Sequence, residues 1–385
     1  MTAVILDLKS SEDPRDVVHQ AVEALAAGKI IAIPTETVYG LAASALHPEA
    51  VQRLVELKGR SPDKPLAFAI KSADDALDYV PNMSCVARRI ARRSWPGPIT
   101  LVLDTDHPDS VIHRLDPSVR EATIPQGTVG LRVPDHELTL QIMRLCAGPI
   151  VLTSANLSGD SPAVNGSEVQ EKVGEYIDLI LDDGPVKFGE ASSVVRVKDN
   201  EINVLRTGLV DEETIEKLTH FIALVVCTGN TCRSPMGEGL LAQRIAERLG
   251  ISMGALEEKG VTVMSAGIAA MPGAPAADQA IEAMRQAGID ISGHQSQPIT
   301  GRLAKFADVI LTMTNGHRQA LISHWPMLET RTKTIQSVLA TIATYMRTTN
   351  CRRRKTFRDI IRYASNQNYW LLVLVCSFKY RQIKK

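Results

Sequence analysis

The run Cys227-Thr-Gly-Asn-Thr-Cys-Arg233-Ser234-Pro235 places a thiol and a guanidinium at the two ends of a five-residue gap. The apolar stretch from Phe221 to Val226 leads into it, and a helical pattern from Met236 to Leu249 leads out. A strand, a loop and a helix N-terminus in that order form an anion cradle. Successive backbone N–H groups from Thr228, Gly229, Asn230, Thr231 and Cys232 point inward and the helix dipole favours negative charge. A cysteine facing such a cradle gains thiolate character and becomes a nucleophile at neutral pH. Arg233 can grip two equatorial oxygens of a phosphoryl group at once. The competing explanation is a strand that ends in a buried structural cysteine. Gly229, Asn230 and Ser234, in a strand–loop–helix context, favour the phosphate chemistry.

Four further clusters precede residue 210: Pro34-Thr-Glu-Thr-Val-Tyr-Gly-Leu41; Lys58-Gly-Arg60 with Lys64-Pro65-Leu66; Val129-Gly-Leu-Arg132-Val-Pro134; and Thr153-Ser154-Ala-Asn156-Leu-Ser158-Gly159. Trp95-Pro-Gly-Pro98 adds a rigid turn. Singly, each has an ordinary structural role. Lys58 and Arg60 suit a helix C-terminus, Thr-Ser-Ala-Asn suits a cap, and Arg132 suits a surface ion pair.

These residues need scaffolds, and 385 residues suggest two domains. Apolar content of 44% supplies packed cores, and the scarcity of aromatics (4%) beside many Ala, Val, Ile and Leu residues suits α/β layers. Asp13-Pro14 reads as a helix start, with apolar residues at helical spacing from Val17 to Leu25 and a stop at Gly28. Strands are expected at Ile30–Ile33, Pro65–Ile70, Ile99–Leu103, Val129–Val133 and Ile150–Leu152. Further helices are expected at Pro48–Lys58, Cys85–Arg93 and Leu138–Cys146. Val194–Val197 and Ile202–Leu205 flank Asp199-Asn200, a hairpin signal. After Cys227 the order strand, helix, strand, helix predicts a small doubly wound parallel sheet, with the loop at the C-terminal end of its first strand. The expected division is a domain over 1–210, a linker helix over 211–219, a second domain over 220–336, and a tail over 337–385.

The net charge of zero conceals an asymmetry. The tail holds eleven Lys/Arg and one acid, Asp359, so it carries +10, and the 336 residues before it carry −10. Six scattered cysteines make no disulfide framework, and the N-terminus lacks a basic segment followed by an apolar one. No apolar run reaches membrane-spanning length. The expectation is a cytoplasmic protein with no membrane partner.

Residues 10–210 resemble the YrdC-like family through Lys58-x-Arg60 and Ser154-x-Asn156, with Ser192-Ser-Val-Val195 and Leu205-Arg206 as terminal matches. The resemblance implies a twisted α/β sheet domain that makes threonylcarbamoyl-AMP and pyrophosphate from L-threonine, bicarbonate and ATP, with Mg²⁺ assisting. The product would pass to tRNA threonylcarbamoyl transfer proteins. Lys58, Arg60, Lys64, Thr128, Ser154, Asn156, Pro162 and Arg206 would then bind ATP. Thr37, Arg132, Leu152 and Ser192 would bind threonine, Arg132 holding its carboxylate. Catalysis would rest on positioning and charge neutralisation. Many relatives carry a histidine at the threonine site where this chain has Ala69.

Residues 220–336 resemble low-molecular-weight protein-tyrosine phosphatases. Further matches are Ser265-Ala-Gly267, Ala287-Gly-Ile-Asp290, His294-Gln-Ser296 and Ala307-Asp-Val-Ile-Leu-Thr-Met313. The resemblance implies a Cys227 nucleophile, an Arg233 phosphate clamp, a Ser234 hydroxyl that stabilises the thiolate, and a phosphoprotein substrate. Thr231 is the residue found in the arginine phosphatases of that family. Cys232 could form a reversible disulfide with Cys227 or pack as a free thiol. The family's Asp-Pro acid has no match between Ser337 and Lys385, so impaired activity is expected, with the tail out of frame or unrelated to the parent domain. The alternative for the whole chain is an RNA-binding protein, contacting tRNA or double-stranded RNA through the basic tail, with a non-catalytic phosphatase-like module. The acidic body argues against tight RNA binding by the folded part.

Overall fold

The computed structural model describes residues 2–11, 13–59 and 65–338. The chain divides into two compact units, Met1–Thr219 and a second that begins at His220. The first is built on a ten-stranded sheet of β1 (Val4–Asp7), β2 (Ile31–Ile33), β3 (Gly40–Ser44), β4 (Ala67–Ala69), β5 (Ile99–Asp104), β6 (Thr128–Arg132), β7 (Ile150–Ser154), β8 (Leu179–Asp182), β9 (Ser193–Lys198) and β10 (Glu201–Arg206). Their order is β1-β8-β2-β3-β7-β4-β6-β5-β9-β10. Parallel pairs (β1 with β8, β8 with β2, β4 with β6, β5 with β9) are interleaved with antiparallel ones. Every residue of β2 and β3 is buried, as expected for central strands covered on both faces.

The helix Pro14–Ala26 begins as its sequence dictates. The Asp13 carboxylate accepts from the Arg15 N–H at 2.9 Å, Pro14 occupies the first turn, and Gly28 beyond the end has φ 73°. Its buried residues Val17, Val18, Ala21, Ala24 and Leu25 form one face. The expected hairpin forms between β9 and β10, with Asp199 in the left-handed region at φ 54°. Strands β1, β3 and β8 have no counterpart in the sequence reading. β3, Gly-Leu-Ala-Ala-Ser, has low β-propensity and is a strand because β2 and β7 flank it. Strands β1 and β8 are short and pair across the length of the unit, Val4 opposite Leu179.

The expected linker helix forms at Glu212–Thr219, but it is docked rather than loose. Ile215 is fully buried in the first unit's core. Arg93, from the helix Cys85–Ser94, donates to the Leu218 carbonyl at 2.7 Å, and Arg89 donates to that of Thr219. Two cations thus meet the negative end of this helix.

Among the described residues the second unit has a four-stranded, wholly parallel sheet of β11 (Phe221–Cys227), β12 (Val261–Gly267), β13 (Val309–Thr312) and β14 (Thr332–Thr334), in the order β12-β11-β13-β14. Successive β11 residues feed different cores. Phe221, Ala223 and Val225 pack with Leu241 and Ile245 of the helix Arg233–Leu249. Leu224 and Val226 pack with Ala304 and Leu321. Helices therefore cover both faces, the doubly wound arrangement. Among the described residues Cys85, Cys146, Cys227 and Cys232 are free thiols, and no helix is long and apolar enough to cross a membrane. The tail from 339 onward, with Asp359, Cys351 and Cys376, lies outside the described residues.

Candidate active sites

In the first unit, strands β3 to β7, β9 and β10 contribute to a cavity of about 570 Å³. Six residues singled out from the sequence line it: Thr128, Arg132, Leu152, Ser154, Ser192 and Arg206. The two sets expected for nucleotide and threonine share one space and touch. Arg206 donates to the Ser192 carbonyl at 2.7 Å through Nη2 and 3.2 Å through Nε, and the Ser192 hydroxyl lies 3.2 Å from that of Thr100.

Arg132, at the end of β6, is buried with a partner that the sequence reading missed. Its Nη2 donates to Glu36 Oε1 and to Thr37 Oγ1, both at 2.8 Å, and its Nε reaches the Gly97 carbonyl at 3.3 Å. The other Glu36 oxygen accepts from the Asp135 N–H at 2.9 Å. Glu36 stood inside the quoted Pro34–Leu41 cluster, but nothing local marked an acid whose partner lies 96 residues away. Thr37 is fully buried and acts on the cavity through Arg132, its hydroxyl 2.9 Å from that of Thr35. Arg206 has its guanidinium partly withdrawn from water, which pushes its pKa down, and the nearby Arg132 charge pushes the same way. An anion entering between two such cations relieves their repulsion.

Lys58 closes the helix Pro48–Leu57 and is buried beside the cavity. Its ammonium donates to the Ser154 carbonyl at 3.0 Å, the Asn156 carbonyl at 2.6 Å and Asn156 Oδ1 at 2.8 Å. The Ser154 hydroxyl also donates to Asn156 Oδ1, at 2.6 Å, and Asn156 Nδ2 donates to the carbonyls of Leu157 and Asp160. Lys58 and the Ser154–Asn156 turn are thus one hydrogen-bonded unit, although nearly a hundred residues separate them. Pro162 is not among the cavity-lining residues; its neighbour Ala163 pairs with Ala155 at 3.0 Å. Ala69 is paired in register with Arg132. Arg60 and Lys64 lie outside the described residues.

In the second unit Cys227 is the last residue of β11, and its sulfur is buried. The Asn230 N–H points at it from 3.3 Å and the Ser234 hydroxyl lies 2.9 Å away. The loop's left-handed residue is Asn230 (φ 54°), not Gly229. Its side chain pins that conformation. Nδ2 donates to Ser234 Oγ at 2.9 Å and Ser265 Oγ at 2.7 Å, Oδ1 accepts from Gln297 N at 2.8 Å, and its carbonyl lies 2.7 Å from His294 Nε2. The expected Ser265 and His294 motifs therefore serve this loop. The Ser265 hydroxyl donates to Glu238 Oε2 at 2.6 Å, and burial raises the Glu238 pKa above its ordinary value. At Gly267 a Cβ would come within 2.5 Å of the Thr228 carbonyl, so glycine lets the loop close over β12.

Arg233 opens the following helix and is exposed, its Nη2 3.4 Å from Thr228 Oγ1. Thr231 anchors the loop through its carbonyl, which accepts from Ala277 N at 2.8 Å. Cys232 is exposed, its sulfur 3.8 Å from Thr231 Oγ1. His317, absent from the sequence reading, places Nε2 2.9 Å from Thr228 Oγ1. A usable signal existed, since loops after adjacent parallel strands meet at one sheet edge and His317 follows β13.

The Sua5/YciO/YrdC family model, described as "Telomere recombination", matches residues 23–208, and the model "Low molecular weight phosphotyrosine protein phosphatase" matches residues 222–347. A threonylcarbamoyl-AMP synthase of Pyrococcus abyssi is 37% identical over 191 residues, which is 50% of this chain and 54% of the relative. The chain thus spans little more than half of that protein. The Mus musculus threonylcarbamoyl-AMP synthase is 32% identical over 222 residues, 56% of this chain and 75% of the relative. The crystal structure of P. abyssi Sua5 complexed with L-threonine superposes with a TM-score of 0.50 at 25% identity, covering 69% of this chain and 92% of that one.

Proposed function

The chain belongs to the Sua5/YciO/YrdC family, and from that premise we propose that its first unit is a threonylcarbamoyl-AMP synthase. The observation that carries this is the cavity where Arg132 and Arg206 converge with the hydroxyls of Thr128, Ser154 and Ser192. Substrates that bring a carboxylate and a triphosphate call for cations and neutral donors lining one concave site. The Arg132 guanidinium has Nη2 and Nε engaged, which leaves Nη1 for the threonine carboxylate. Lys58, by holding the Ser154–Asn156 turn, shapes the nucleotide side, and Arg206 lines the same cavity.

Threonine's amine would add to bicarbonate-derived CO₂ to give a carbamate. A carbamate oxygen then attacks the α-phosphorus of ATP and the bond to pyrophosphate breaks. Orientation and charge neutralisation supply the rate. Mg²⁺ would arrive on the triphosphate as the substrate's own counter-ion. Among the described residues no group of three or more His, Cys, Asp or Glu side chains is placed to hold a metal, so no step is assigned to a protein-held ion. The product would be consumed by proteins that transfer the threonylcarbamoyl group to tRNA. The test is pyrophosphate release with ATP: it should require both threonine and bicarbonate, and release that ignores either would refute the assignment.

For the second unit, which is low-molecular-weight phosphatase-like, we propose cysteine-dependent phosphoryl transfer from an arginine- or tyrosine-phosphorylated protein. Cys227 attacks phosphorus, the loop amides and Arg233 hold the equatorial oxygens, and the leaving group departs in line. The sequence beyond Ser337 holds a single acid, Asp359, and no Asp-Pro pair, which supports slow protonation of the leaving group.

A further inference from the structure

Asn230 and its partners hold the centre of the cysteine loop, but the Thr228 side chain is held by a different residue. Its hydroxyl oxygen lies 2.9 Å from His317 Nε2 and accepts from Arg233 Nη2 at 3.4 Å. Thr228 is the hydrogen-bond partner of the Arg233 guanidinium among the described residues. That guanidinium otherwise stands in solvent on a long, rotamer-rich side chain. We propose that His317 is a positioning residue for phosphate at the cysteine loop: it fixes the Thr228 hydroxyl, and that hydroxyl holds Arg233 over the cradle. The inference rests on the phosphatase-like reading of this unit and deepens it.

His317 is well suited to this role. It is 9% exposed, and its backbone N–H is held by Thr314 Oγ1 at 3.3 Å at the start of the helix Asn315–His324. Its Nδ1 is buried with no hydrogen-bond partner among the described residues, so the Thr228 hydroxyl is the contact that holds the ring. Either tautomer occupies the Thr228 hydroxyl, as donor or as acceptor, and both leave an oxygen lone pair for Arg233. Burial, together with the Arg233 charge, pushes the His317 pKa down, which favours the neutral ring beside the guanidinium. Holding the guanidinium before phosphate arrives removes side-chain ordering from the binding step.

Inorganic phosphate protection of Cys227 from iodoacetamide, followed on the Cys227 peptide in the full chain, reads this loop alone and needs no turnover. His317→Ala should raise the protecting phosphate concentration about tenfold, the scale of one hydrogen bond to a charged group. His317→Gln, whose amide can donate or accept, should restore most of the loss. In a Thr228→Val background His317→Ala should add nothing further. Protection by His317→Ala equal to that of the natural chain, or a full additional loss on top of Thr228→Val, overturns the inference while leaving the phosphate site intact. No protection in the natural chain overturns the phosphate-site reading, and this inference with it.

Discussion

The first unit gathers its cations from strands far apart in sequence, whereas the second draws its cradle from nine consecutive residues. Arg132 meets Glu36 across 96 positions and Lys58 meets Asn156 across 98. The loop from Cys227 to Pro235 lies between the end of β11 and the first turn of the next helix. The first arrangement depends on the register of a whole sheet and buries an ion pair to secure it. The second depends on backbone amides, one left-handed residue and a fan of hydrogen bonds from Asn230. A site of the first kind ties its chemistry to the stability of its unit. A site of the second kind can lose function with little change in fold.

Arg132→Ala should show the largest effect. It leaves Glu36 buried without a cationic partner among the described residues. Removing one member of a buried pair costs about 3–5 kcal/mol. The first unit's thermal transition should fall, and threonine-dependent pyrophosphate release should become undetectable. Lost activity with an unmoved transition would break the proposed link between site and stability. Asn230→Gly is the matching change in the second unit, because glycine keeps the left-handed backbone and deletes only the amide. Phosphate-ester hydrolysis should fall about thirtyfold, and the second unit should lose about 1–3 kcal/mol as its three side-chain hydrogen bonds disappear. A shift of the first unit's transition would contradict the locality claimed for this loop.

The smallest effect concerns Glu238, whose pKa is raised by burial above its ordinary 4.5. A raised carboxyl pKa means that the folded state binds more protons than the unfolded one. Its contribution to stability is therefore full below pH 4.5 and declines as pH rises through the elevated value. Glu238→Gln should flatten that slope in the second unit. A slope that survives the substitution would assign it to another group.

The same contrast explains what the sequence made legible. The cysteine loop, the Asp13 cap and the Asp199 hairpin are local patterns, readable within a dozen residues, and the alternating order of the second unit is a succession of such patterns. The first site's residue types were readable as well, through the resemblance carried by Lys58, Arg60, Ser154 and Asn156. Their arrangement was not. Glu36 as the partner of Arg132 and the lock between Lys58 and Asn156 arise only when the sheet brings distant segments together. Strand β3 was hidden for the same reason, since its alanines and glycine carry no strand signal of their own. His317 was legible only through topology, since its partner, Thr228, belongs to the loop of the adjacent parallel strand.

The helix Glu212–Thr219, with Ile215 in the core and its carbonyl end clasped by Arg89 and Arg93, has a practical consequence for dissecting the chain. A gene fragment cut at residue 210 would open a hole in the first unit's hydrophobic interior and cut away both guanidinium–carbonyl bonds. One cut after Thr219 would keep them. A division at His220 therefore leaves the first unit's interior and the clasped end of this helix whole, on the far side of what the sequence offered as a tether.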